Sequence, residues 1–279
     1  MTDAASPPSL PLDEQLARFR AAHPLIRYPH AGHTWHYRRG GEGADVVLLL
    51  TGVLGAGDFA FQQVAALERR YRVLIPDYPP VSSLDDLVDG IVGLLDAEGA
   101  SRVHVVAGSF GGMTAQALVR SHPERVRSLV LSHTGTPEPG SRARRLATLP
   151  LAILPGGLLR ALFRKRLRGS FAAADPFWTR YFDETTARLG RADFLGRVRV
   201  ALEFAEERYG PHDLDAWPGR ILILDADHDP LFPEARQQAV RALYPRAEVH
   251  TFRGTGHAAA ILDPGGYASV ILDFLERAA

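Results

Sequence analysis

The 279-residue chain carries 32 basic and 32 acidic residues, so its net charge gives it no general attraction to nucleic acid or to an acidic membrane. Its hydrophobic content of 46% is that of a globular protein rather than a disordered one, and the length suits one large α/β domain with an insertion. The absence of cysteine excludes disulfides, thiolate metal sites and cysteine nucleophiles, and it fits a cytoplasmic protein.

The first 24 residues lack a basic region followed by an apolar one, so no secretion signal is expected. The apolar runs at 46–50 and 149–159 are too short, or too broken by Pro and Gly, to span a bilayer. Lys165 is the only lysine, a bias expected of GC-rich bacterial coding. From Thr34 onward strands and helices alternate. Residues 34–39 and 45–50 read as strands joined by a Gly-rich turn, followed by a helix over about 58–69 and a strand at 71–77.

In the next segment Leu84, Leu87, Val88, Ile91, Leu94 and Leu95 recur at helical spacing, with Ser83 and Asp86 as a capping box. Strands are expected at 102–107, 125–132, 219–225 and 247–252. A last helix carries Tyr267, Val270, Ile271, Phe274 and Leu275 as one apolar stripe. This order predicts an α/β fold with a mostly parallel sheet covered by helices on both faces.

The alternation breaks between about 137 and 217, where only helical stretches are legible; the best places Leu195, Val198, Leu202 and Ala205 on one face. Residues 1–136 and 214–279 are therefore read as the core. Residues 137–213 are read as a helical cap over the C-terminal edge of the sheet, the edge where open α/β sheets bind ligands.

The stretch RVHVVAGSFGGMTAQALV passes from strand to helix through a single corner residue, Ser109. Such a corner strains the backbone, and the small residues Ala107 and Gly111 relieve the crowding. It exposes the serine oxygen and leaves the Phe110 N–H free to meet a developing negative charge. The pattern is G-x-S-x-G with alanine at the first position. An idle serine in a Gly-rich turn is the plain alternative; a phosphate loop would need Lys-Ser/Thr where Met113-Thr114 stands.

A serine nucleophile needs a base, and the base needs a carboxylate. Asp229 follows the strand at 219–225 and is the preferred acid, with Asp225 and Asp227 as alternatives; capping of the following helix is the other use for aspartates there. His257 follows the last strand on a Gly-flanked loop. Three candidates, each leaving the C-terminal end of a different strand in the order Ser, Asp, His, converge on one site. A second oxyanion donor is expected at the Val53 N–H, where Gly52 lets the chain turn after the first long apolar strand.

With AGSFGG, DADHDPLFP, GTGHAAAILDP and LLLTGVLG in these positions, the chain resembles the α/β-hydrolase superfamily from about Thr34 to its C-terminus. The resemblance implies a sheet of about eight strands, no cofactor or metal, and a site of Ser109, His257 and Asp229 with Val53 and Phe110 as main-chain donors. Thr51-Gly52 stands where many relatives have His-Gly. The segment PDYPPVSSLDDLVDGIVGLLD replaces the usual Gly-rich one and is similar to maspardin-type members, some of which are regarded as binding proteins.

The expected activity is hydrolysis of an ester, thioester or related acyl substrate through an acyl-serine. A silent binding protein, or a C–C hydrolase, lyase or cyclase using the same pocket, are the alternatives. The expected partner is a small molecule with an apolar acyl part, not nucleic acid. In the cap, Phe171, Phe177, Trp178 and Phe182 with the arginine-rich segment before them suit either an apolar pocket with cations or a lipid surface, or ordinary packing beneath a solvated basic face.

Overall fold

Runs of Val, Leu and Ile fill both faces of a sheet when helices cover each side, and the central strands are built this way. The computed structural model describes residues 10–140, 148, 151, 153–171 and 175–278. Its eight strands are β1 (Ile26–His30), β2 (His33–Gly40), β3 (Val46–Leu50), β4 (Arg72–Asp77), β5 (Val103–Gly108), β6 (Val126–Ser132), β7 (Arg220–Ala226) and β8 (Glu248–Phe252). They lie in the order β1-β2-β4-β3-β5-β6-β7-β8, with β2 antiparallel to both its neighbours and all other pairs parallel.

The strands at 34–39 and 45–50 are consecutive in the chain but do not pair, because β4 inserts between them. The edge strand β1 gave no sequence signal. Its sequence IRYPH alternates half-buried and exposed positions and carries Pro29, which an edge tolerates.

One face of the sheet is covered by α3 (Leu84–Ala97), α4 (Phe110–Ser121) and α8 (Glu234–Leu243). The other is covered by α1 (Leu12–Ala22), α2 (Phe61–Leu67) and α10 (Pro264–Arg277), reached through the short α9 (Ala259–Leu262). Alternate strand residues divide between these layers, Leu48 and Val105 facing one and Leu49 and Val106 the other. Half of the predicted capping box on α3 is present: the Ser83 side chain accepts from the Asp86 N–H at 3.0 Å, while the Asp86 carboxylate accepts from Ser82 Oγ at 2.9 Å. Among the described residues, no single helix is long and apolar enough to cross a membrane.

Among the described residues, three helices lie between β6 and β7: α5 (Gly156–Ser170), α6 (Pro176–Arg188) and α7 (Arg191–Glu206). The face that α7 buries is not the one its sequence suggests. Phe194, Arg197, Val200 and Phe204 are buried with Ala205, whereas Leu195, Val198 and Leu202 are only half-buried. Spacing of apolar residues misplaces this stripe because a charged residue, Arg197, sits in its middle. Part of the arginine-rich segment read as a cap, residues 141–147, 149–150 and 152, lies outside the described residues.

Asp77, at the end of β4, accepts from the Gly57 N–H at 2.6 Å and so fastens the chain leading into α2. Burial pushes its carboxyl up to about 6 despite that bond. A folded-state value above the ordinary 3.8 means stability is lost as pH rises from about 4 through about 6. Asp77→Asn keeps the acceptor and removes the charge. It should raise the melting temperature at pH 8 and leave it unchanged at pH 4, as paired thermal melts would reveal.

Candidate active site

Parallel register brings the ends of β3, β5, β6, β7 and β8 to one edge: Leu50 lies opposite Ala107, Gly108 opposite Ser132, Ser132 opposite Leu224 and Ala226 opposite Phe252. The loops leaving that edge carry every predicted site residue. Ser109 is the corner between β5 and α4, with φ 52° and ψ −116°. This is left-handed backbone that a serine adopts only under strain. Its N–H donates to Ser132 O at 2.8 Å and its own carbonyl accepts from Thr134 Oγ1 at 2.9 Å. A side chain at Gly111 would collide with the Leu50 carbonyl, so this turn of α4 can lie against β3 only with glycine there.

Asp229 and His257 come together across the β7 and β8 loops, with His257 Nδ1 2.8 Å from Asp229 Oδ2. The other carboxylate oxygen of Asp229 accepts from the N–H groups of Leu231 at 2.8 Å and Phe232 at 3.0 Å. Burial alone would raise this carboxyl. The hydrogen bond and charge of His257, with the two backbone donors, outweigh it and hold Asp229 below the usual carboxylate range.

The alternative aspartates are engaged elsewhere. Asp225 accepts from Arg241 at 2.6 Å and from Thr251 at 2.7 Å, and Asp227 accepts from the Gly254 N–H at 2.6 Å.

Ser109 and His257 line one cavity of about 140 Å³. Its walls are mainly apolar, with Leu49, Phe59 and Val106 from the core and Leu167, Phe171 and Phe182 from α5, the residue after it, and α6. A second, wider cavity of about 350 Å³ also reaches Ser109 and is walled by Phe110, Thr136, Glu138, Arg166 and Arg236. The aromatics between β6 and β7 therefore divide: Phe171 and Phe182 line the first cavity, Phe182 while also packing into the core, whereas Phe177 and Trp178 pack into the core without lining it. Gly52 lies beside the serine, where an added Cβ would stand 3.8 Å from Ser109 Cβ. Val53 reaches both cavities, and Phe110 opens α4, where the first N–H groups of a helix have no partner within it.

Sequence reading missed two close neighbours of this site. Phe232 stacks on the His257 ring with centroids 5.6 Å apart. His133, directly after β6, meets the same ring edge-on at 5.6 Å and lines the first cavity. Its backbone is left-handed at φ 47°. Burial, reinforced by the nearby His257, pushes the imidazole down to about 4, so it is neutral around pH 7. Position was the available signal, since His133 leaves the same sheet edge as the other three.

The RutD protein of Caulobacter segnis, provisionally described as a carbamate hydrolase, is 26% identical over 266 residues, covering 85% of this chain and 93% of its own. A 2-hydroxy-6-oxononadienedioate/2-hydroxy-6-oxononatrienedioate hydrolase of Burkholderia vietnamiensis is 28% identical over 270 residues, covering 87% and 91%. The crystal structure of a hydrolase from Pseudomonas aeruginosa superposes with a TM-score of 0.78 at 20% identity, covering 90% of this chain and 98% of that one, a likeness of fold. Residues 47–270 match the model of the alpha/beta hydrolase family, and the chain belongs to that family.

Proposed function

We propose that the protein is a serine hydrolase that cleaves acyl substrates through Ser109, His257 and Asp229. The observation that carries this reading is the 2.8 Å bond between His257 and Asp229 beside a cavity that His257 shares with the strained Ser109. His257 takes the hydroxyl proton through Nε2 as Ser109 Oγ bonds to the substrate carbonyl carbon. Ionised Asp229 fixes the Nδ1–H tautomer and stabilises the imidazolium. The N–H groups of Val53 and Phe110 hold the oxyanion. As the tetrahedral adduct collapses, the leaving group departs with the proton from His257. Water, deprotonated by the same imidazole, then releases the acyl group from serine.

The apolar walls of the smaller cavity favour an uncharged, compact acyl or aromatic group there. A second reading, cleavage of a C–N or C–C bond next to a carbonyl, is supported by the names of the two relatives.

A fluorophosphonate probe with turnover of p-nitrophenyl esters tests the proposal. Labelling of the wild type but not of Ser109→Ala, with ester turnover, is the expected result. Neither labelling nor turnover would identify a binding protein. Turnover of a vinylogous 1,5-diketone without trapping of an acyl-enzyme would favour the C–C reading.

A further inference from the structure

We infer that Arg197 of α7 is a positioning residue for the oxyanion loop: through it the inserted helices set the peptide that presents the Val53 N–H. This rests on the serine hydrolase reading above.

The loop from Thr51 to Gly55 has every carbonyl engaged. Thr51 O accepts from Tyr78 Oη at 3.0 Å, Gly52 O from the Gly55 N–H at 2.9 Å, and Gly55 O from the Tyr78 N–H at 2.9 Å. The remaining two belong to Arg197. Its Nε donates to Val53 O at 2.9 Å and its Nη2 to Leu54 O at 3.4 Å. The same guanidinium reaches Tyr78 O at 2.9 Å and Pro79 O at 3.3 Å, which ties the oxyanion loop to the chain after β4. Gly55, at φ +61°, completes the fit, because a side chain there would stand 2.6 Å from Arg197 Nη2.

A guanidinium only 3% exposed, hydrogen-bonded among the described residues to four carbonyls and to no carboxylate, is a costly way to dock a helix. Docking does not depend on it alone. Glu203 on the same helix accepts from the Leu84 N–H at 2.6 Å, and Phe194, Val200 and Phe204 are buried. What Arg197 alone supplies is a rigid planar fork that holds successive peptides of one turn. In a trans peptide the Gly52 carbonyl and the Val53 N–H point in opposite directions. Closing Gly52 O onto Gly55 aims that N–H out of the turn, and fixing the next two carbonyls keeps the turn from flipping.

The test compares p-nitrophenyl butyrate turnover with binding of butylboronic acid, whose serine adduct carries a tetrahedral oxyanion, and of butyrate as a ground-state ligand. Arg197→Met should lower kcat by about 10²-fold with KM within about threefold, and boronate affinity should fall far more than butyrate affinity. Arg197→Lys, with charge but no fork, should lose about tenfold, and Arg199→Met on the exposed side of α7 should match wild type. Gly196→Ala retains the guanidinium but would place a Cβ 2.5 Å from Val81 O, backing α7 away. It should show the same pattern at smaller size, and it carries the test if Arg197→Met does not fold. A folded Arg197→Met with unchanged kcat, or equal losses for boronate and butyrate, overturns the inference. A wild type that neither labels nor hydrolyses esters overturns the hydrolase reading instead.

Discussion

Ser109→Ala is expected to lower kcat by about 10⁶-fold, the loss typical when a triad nucleophile is removed, with the fold intact. Ser109 lines two cavities and its backbone is fixed from both sides, by Ser132 O on its N–H and Thr134 on its carbonyl. Loss of the hydroxyl therefore leaves the corner in place. Ser109→Gly should be equally inactive yet more stable, because glycine adopts φ 52° without the strain a Cβ brings. That relief is worth about 1 kcal/mol, or about 2–4 °C in melting temperature for a chain of this size. A glycine variant that melts below wild type would show that the corner is not strained. Residual turnover above about 1% of wild type in the alanine variant would remove covalent catalysis by this residue.

Asp229→Asn is expected to cost about 10⁴-fold in kcat with little change in KM. An asparagine can turn its amide NH₂ toward His257 Nδ1, which then becomes an acceptor and leaves the proton on Nε2, where it blocks uptake of the serine proton. The Leu231 and Phe232 N–H groups still find a carbonyl oxygen, so geometry should survive. The sign of the stability effect follows from the depressed carboxyl. A group held below its ordinary value contributes stability above about pH 4 and loses it as pH falls further. Melting temperatures of wild type and Asp229→Asn should therefore differ most near neutrality and draw together as pH falls below about 4. Kinetics at saturating substrate with melts across that range check both parts.

Much of the candidate site was legible because its residues announce themselves by where they sit. Ser109, Asp229 and His257 each follow a strand whose apolar run is unmistakable, and a parallel sheet gathers such ends at one edge. What escaped reading did so for physical reasons. β1 is an edge strand, half solvated, so it lacks the continuous apolar run that marks β3 or β5. Arg197 reads as a solvent-facing charge in a helix, and only tertiary contacts reveal four carbonyls converging on it. His133 carries no motif, and its strained backbone has no sequence signature outside glycine. Phe171 and Phe182 could not be separated from Phe177 and Trp178 by composition, because pocket-lining and core aromatics are chemically alike.

The two unequal chambers that meet at Ser109 have a kinetic consequence on the acyl-serine reading. A fragment seated in the narrow greasy chamber stays tethered while its partner escapes through the roomier one beside Arg166 and Arg236. The vacated space is then the entry route for whatever attacks next. Small alcohols admitted there would compete with water, so ester exchange should accompany hydrolysis in mixed solvents.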